Sequence, residues 1–149
     1  MTDHLRLDLD DYLPYLVHRV GSALAARFTA ETLARHDLSI AMWRVLAALS
    51  ANGEQRQIDL AAMTSIDVST LSRLVTRLVR RRLAIRRRSK SNSREVVVQL
   101  SPAGRALVER LIPVARNLED TAIAGVSRKD LAVAKRLLRR MHGNMAGQP

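Results

Sequence analysis

At 149 residues with 47 % apolar side chains, the chain is long enough for one core-bearing domain and too apolar for bulk disorder. It carries 25 Lys and Arg against 14 Asp and Glu, for a net charge of +11, and it has no cysteine. These values exclude disulfides, thiol redox switching and thiolate zinc sites, and one Phe, two Tyr and one Trp are too few rings for stacking on single-stranded bases.

Residues 10–36 read as one long helix, with an apolar stripe of Leu13, Leu16, Val17, Val20, Leu24 and Phe28. Asp10 or Asp11 caps it, and Pro14 falls in the first turn, where a missing N–H costs little. Gly21, Ser22, Ala25 and Ala26 form a second, small-residue face. Ser39 caps a second helix through about Ala51, with Trp43, Leu46 and Leu49 on its apolar side, and Asn52-Gly53 ends it. A short third helix covers Gln57–Thr64, with Ile58, Leu60 and Ala61 inward. After a break at Ser65-Ile66, Asp67 caps a fourth helix to about Arg81, its core side Leu71, Leu74, Val75 and Leu78.

The period then falls from 3.6 to about 2. Leu83–Arg88 and Glu95–Leu100 read as two strands of a hairpin around the polar turn Ser89–Ser93. Ser101 caps a fifth helix with Pro102 at its first position, bearing Leu107, Leu111, Ile112 and Leu118, and Pro113 predicts a kink. Ser127 and Asp130 form a capping box for a last helix with Leu131, Ala134, Leu137, Leu138 and Met141, and the tail Gly143–Pro149 is expected to fray. There is no internal repeat.

The charge is local. From Arg73 to Arg94 there are ten basic residues and no acid, which leaves +1 for the rest of the chain. Such density attracts a polyanion, nucleic acid first. A solvated helix face would intersperse acids, and none occurs. Helix, short helix, turn, helix and hairpin make a winged helix-turn-helix: a mainly α fold with a small β-hairpin wing, its DNA-binding lobe at 38–100. On the fourth helix Ser69, Thr70, Ser72, Arg73, Thr76, Arg77 and Arg80 are the candidate groove readers, combining short hydroxyls with a donor suited to guanine. On the wing Arg86, Arg87, Arg88, Lys90, Asn92 and Arg94 are placed for the backbone or a minor groove.

The blocks 10–36 and 101–143 exceed what one winged helix needs. They read as a dimerisation layer within a single domain, 1–149, with Leu13, Leu16, Leu111, Leu137, Leu138 and Met141 at the interface. The expected partners are double-stranded DNA and a second copy of the chain. The alternative is a sequence-indifferent, architectural nucleic-acid binder, against which the hydroxyl-rich stripe beside Arg73 argues. No catalytic set, phosphate loop, cofactor motif or metal pair is present, so no enzyme, cofactor or metal is expected; His4, His18, His36 and His142 are scattered. The start Met1-Thr2-Asp3-His4 is not a signal peptide and no apolar run approaches the ~20 residues of a membrane span, so the expected location is the cytoplasm, away from membrane.

The ordered set of pieces resembles the MarR (multiple antibiotic resistance regulator) family of bacterial transcription factors. Leu38-Ser39 with Met42-Trp43-Arg44-Val45-Leu46 is similar to the family's second helix. Leu60-Ala61 and Asp67-Val68-Ser69-Thr70-Leu71-Ser72-Arg73-Leu74-Val75 are similar to its helix-turn-helix, and Leu100-Ser101-Pro102-Ala103-Gly104 to the Leu-Thr-x-x-Gly that closes its wing. The resemblance spans about Leu13 to Asn144 and implies a homodimeric repressor, less often an activator, on a pseudo-palindromic operator. It also implies release by a small, often aromatic or phenolic, effector. Trp43, His18 and Met42 are the candidates to line its cleft, against core packing for Trp43 and Met42 and plain exposure for His18. Two positions depart from the pattern. Asn92-Ser93-Arg94 replaces the family's Asp-x-Arg at the wing tip, and Arg82 stands where glycine is usual. If the backbone there is left-handed, a non-glycine residue costs about 1 kcal/mol.

Overall fold

The computed structural model describes residues 5–147. The start Met1–His4, read above as no signal peptide, and the last two tail residues lie outside the described residues. In chain order the elements are α1 (Leu13–Glu31), α2 (Ile40–Asn52), β1 (Gln55–Arg56), α3 (Gln57–Thr64), α4 (Val68–Arg80), β2 (Ala84–Arg88), β3 (Val96–Leu100), α5 (Pro102–Ala122) and α6 (Arg128–Ala146). Two compact units result, and their boundary, between Ala115 and Arg116, falls inside α5.

The expected helix 10–36 is broken. Asp8, not Asp10 or Asp11, caps, and what it caps is a 3₁₀ turn at Leu9–Asp11; α1 itself starts at Leu13 with no side-chain cap. At the other end Thr32 leaves helical geometry, and a second 3₁₀ turn, Leu33–His36, closes on Asp37 in left-handed conformation (φ 51°). The tighter turn puts both Leu33 and Leu38 into the core, which a straight continuation would not do. The carbonyls it leaves over at His36 and Asp37 are satisfied from far along the chain, by the guanidinium of Arg81 (2.5 and 2.7 Å).

Ser39 caps α2 through its Oγ on the Met42 N–H (3.1 Å), and Met42, Val45, Leu46 and Leu49 are buried. Trp43 sits on the flank, edge-on to Phe28 of α1 at 5.3 Å between ring centres. In α3 the inward residues are Leu60, Ala61 and Thr64. Ile58, expected inward, is 62 % exposed, because two residues before Leu60 is the opposite side of a helix. Ser65 in left-handed conformation (φ 55°) makes the turn into α4, whose buried side is Leu71, Leu74, Val75 and Leu78.

The sheet has order β1-β3-β2, all antiparallel, with Arg86 opposite Val98 and Gln55 also opposite Val98 on the other edge. β1 is too short to show a period in sequence; it exists because β3, with Val97, Val98 and Leu100 buried, needs a partner on each side.

Arg82 is left-handed (φ 58°). Its N–H bonds to the Val79 carbonyl and the Leu83 N–H to the Leu78 carbonyl, both at 2.9 Å, a Schellman closure of α4. The start of α5 is bolted to that closure. Ser101 Oγ donates to the Arg82 carbonyl (2.6 Å) and accepts from the Gly104 N–H (3.0 Å), and the Ser101 N–H bonds to Leu83 (3.1 Å). A Cβ at Gly104 would lie 1.9 Å from the Leu83 carbonyl oxygen, so the Gly of this motif is a packing requirement.

The first half of α5 buries Leu107, Val108 and Leu111; the helix then continues through Pro113. In the second unit, Ser127 caps α6 on the Asp130 N–H (3.0 Å) and Lys135 pairs with Glu119 (2.7 Å). Helix extends to Ala146, so most of the tail expected to fray is helical. No helix among the described residues is long and apolar enough to cross a membrane.

Candidate nucleic-acid interface

The interface is built on α4 and the strands that follow it. Asp67 Oδ1 accepts from the Thr70 N–H (2.9 Å) and from the Ser69 hydroxyl (2.7 Å), fixing where α4 begins. Those hydrogen bonds, Thr70's first, together with the nearby Arg73 charge, hold the Asp67 carboxyl well below the usual carboxylate range. It is therefore ionised at neutral pH and complements the helix's positive end.

Of the seven candidate readers, Ser69, Arg73, Arg77 and Arg80 are exposed on one side of α4, opposite its buried leucines. Arg73 leans back to the Thr70 hydroxyl at 3.4 Å. Thr76 is different. Its hydroxyl donates to the Ser72 carbonyl (3.0 Å) and accepts from Arg86 (3.0 Å), so it is occupied within the protein.

The wing residues divide. Arg86, expected at the DNA backbone, faces α4 instead: its two terminal nitrogens hold Thr76 Oγ1 and the Ser72 carbonyl (2.7 Å), and its Nε is buried without a partner. Strand alternation explains this, since Arg86 shares the face of the buried Ala84. Arg87, on the other face, is paired with Glu54, and Arg88 donates to the Ser93 carbonyl (2.9 Å). Lys90, Asn92 and Arg94 lie exposed around the tip. Asn92 Oδ1 accepts from the Arg94 N–H (3.1 Å), an Asx turn, so the amide that replaces the usual acid still shapes the tip. A second ion cluster braces the far edge of the sheet. Arg56 binds Asp59 (2.6 Å) and Glu95 (3.0 Å); these pairings, Asp59's first, raise the Arg56 pKa, and the bond from Arg56 lowers that of Asp59.

The basic window is thus two populations. Arg81, Arg86, Arg87 and Arg88 are committed to internal partners, while Arg77, Arg80, Arg82, Lys90 and Arg94 make no hydrogen bond through their side chains among the described residues, and Arg73 makes only the long one to Thr70. Sequence counts charges but does not show which way a guanidinium turns.

Two further sets were expected. Leu13 and Leu16 on α1, and Leu137 and Leu138 on α6, are exposed, and Met141 is half-buried. Leu111 is 2 % exposed and belongs to the core of the first unit, completing the stripe of Gly104, Leu107 and Val108. For the effector cleft, Met42 is wholly buried in the core and His18 is exposed, 3.3 Å from the Ser22 hydroxyl. Trp43 lines an open groove of about 490 Å³ with Arg44, Ala47, Ala48, Met63, Thr64 and Ser65. The contributions of Met63 and Ser65 were not legible in sequence, because the groove spans two helices and the turn after them. No His/Asp/Glu cluster among the described residues could hold a metal ion.

The profile of the MarR family matches residues 36–95, from the turn before α2 to the end of the wing loop. A crystal structure of a MarR-family transcriptional regulator from Silicibacter pomeroyi is 31 % identical, covers 97 % of this chain and 99 % of its own, and superposes with a TM-score of 0.84. Bordetella bronchiseptica BpsR, whose DNA binding is regulated by 6-hydroxynicotinic acid, is 30 % identical over 87 % of this chain and 98 % of its own, with a TM-score of 0.77. The HTH-type transcriptional repressor NicR of Pseudomonas putida is 26 % identical over 139 residues, 93 % of this chain and 87 % of that protein.

Proposed function

The chain belongs to the MarR family of DNA-binding transcriptional regulators, and on that premise we propose that it is a homodimeric repressor reading a pseudo-palindromic operator. The observation that carries this reading is the acid-free stripe of Arg73, Arg77 and Arg80 on the exposed side of α4, beside a wing tip with Lys90 and Arg94 free. α4 enters the major groove with those guanidiniums toward base edges, and Lys90 and Arg94 lie on phosphates. The lobe 38–100 does the reading. The flanking blocks 10–36 and 101–143 supply the dimer layer, through the exposed faces with Leu13, Leu16, Leu137 and Leu138. The protein acts by binding, without a catalytic step, and works in the cytoplasm, where the promoter is.

Release follows from a small aromatic acid entering the groove beside Trp43. The groove offers an indole, the methyl groups of Ala47 and Ala48, Met63 and the cationic Arg44, and it touches Ser65, the left-handed residue that sets the turn into α4. The relative regulated by 6-hydroxynicotinic acid supports a ligand of this class.

The test is selection of random duplexes by the purified protein, with sequencing of what is retained. An inverted repeat with half-sites about ten base pairs apart is expected. Salt-sensitive retention with no enriched sequence overturns the reading in favour of an architectural binder.

A further inference from the structure

The outward chemistry of α4 is narrower than its sequence suggests. The Ser69 hydroxyl is donated to Asp67, the Thr70 hydroxyl receives Arg73, and the Thr76 hydroxyl is held between Ser72 and Arg86. Ser72 is half-buried, and a hydroxyl there can donate or accept, so it separates bases poorly. Beyond a Ser69 oxygen that can still accept and a Thr70 hydroxyl that can still donate, what α4 presents to a groove is three arginines, which favour guanine, and one apolar group. That group is Val68, the first residue of the helix, 52 % exposed and one helical turn before Ser72, on the flank of the arginine stripe. It is the first-turn side chain beside Asp67, and first-turn side chains of a recognition helix are those that meet base edges. It is not among the residues this helix buries, which are Leu71, Leu74, Val75 and Leu78. In the major groove one feature complements a bare branched alkyl group, the 5-methyl of thymine.

We propose that Val68 reads a thymine methyl in each half-site, giving the protein an A·T preference its arginines cannot supply. This rests on the DNA-reading assignment above. The experiment uses the full chain and the duplex recovered by the selection. Each thymine is replaced in turn by deoxyuridine, which lacks only the methyl, and binding is measured for the wild type, Val68→Ala and Val68→Thr. Val68 is exposed, so both variants keep the fold, and thermal melting verifies it.

At one thymine per half-site, deoxyuridine is expected to weaken the wild type about fourfold, the effect of withdrawing one methyl-sized apolar contact. The same replacement is expected to leave Val68→Ala nearly unchanged, with Val68→Thr in between. A deoxyuridine profile identical in wild type and Val68→Ala, or a selected half-site with no fixed A·T pair, overturns the role of Val68 while leaving DNA reading intact. Failure of the wild type to retain any duplex overturns both.

Discussion

Arg82 stands in left-handed backbone (φ 58°) where a Cβ crowds the chain, yet its N–H and that of Leu83 still close α4. The strain is retained at the edge of a basic surface, where an added cation strengthens attraction to phosphate. Arg82→Gly is therefore expected to stabilise the fold by up to about 1 kcal/mol, read as a higher urea midpoint, and to weaken binding of any duplex modestly. A lower midpoint would mean that packing of the Arg82 side chain outweighs the backbone strain. Gly104 is the opposite case. Its helical backbone suits any residue, but the Leu83 carbonyl occupies the space of a Cβ. Gly104→Ala is expected to cost about 3 kcal/mol or more, because a backbone atom in the bolt between α4 and α5 must move. Neither reason is visible in a sequence. Gly104 could be picked out there only through its motif, and Arg82 only through the glycine it replaces.

At the scale of elements, the pairing of α4 with the wing sets how the reading surface is presented. Arg86 joins them by holding Ser72 and Thr76, and no acid among the described residues pairs with it. Arg86→Gln is expected to leave the salt dependence of DNA binding close to that of the wild type while lowering the ratio of operator to random-duplex affinity. Lys90→Ala with Arg94→Ala should do the reverse. Each lost phosphate contact lowers the slope of log affinity against log salt by about 0.9 per protomer, with the discrimination ratio kept. A slope for Arg86→Gln that falls like that of the tip variants would return Arg86 to the backbone-contacting set.

Acid acts on the same element through Asp67. Its carboxyl is held below the usual range by hydrogen bonds formed only in the fold, so the stability it gives is present above the unfolded carboxylate pKa and is lost as pH falls through the folded one. Titrating helix content from neutral pH downward, Asp67→Asn is expected to show a shallower loss than the wild type. Parallel curves would indicate that other carboxylates govern the acid transition. The caps at Ser39, Asp67, Ser101 and Ser127 were legible because each depends on residues within one turn, and the hairpin because two runs of period 2 flank a short polar stretch. The two-residue β1 and the 3₁₀ turn at Leu33–His36 were not, because each is settled by contacts distant in sequence; the exposure of Ile58 follows from the helical period itself once Leu60 is placed inward.

For the whole molecule, the decisive fact is apolar surface that the described residues of one chain leave uncovered. On α1, Leu13, Leu16, Val17 and Val20 are exposed at helical spacing, and on α6, with no fully buried residue along its length, so are Leu137 and Leu138. A helix of this kind gains little from propensity alone in water and depends on packing of its apolar face. In the proposed dimer a second copy would cover such faces by two-fold symmetry, and the same symmetry would set two α4 helices one turn of DNA apart. Leu138→Asp and Val20→Asp are each expected to convert the protein to a monomer in sedimentation, with the core of the first unit intact because neither residue belongs to it. The monomer should bind a single half-site with about half the salt slope of the dimer and lose its preference for ten-base-pair spacing. A sedimentation mass unchanged in both variants would place the dimer contact elsewhere. An altered mass with operator affinity and spacing preference retained would show that the two half-sites are read independently of this surface.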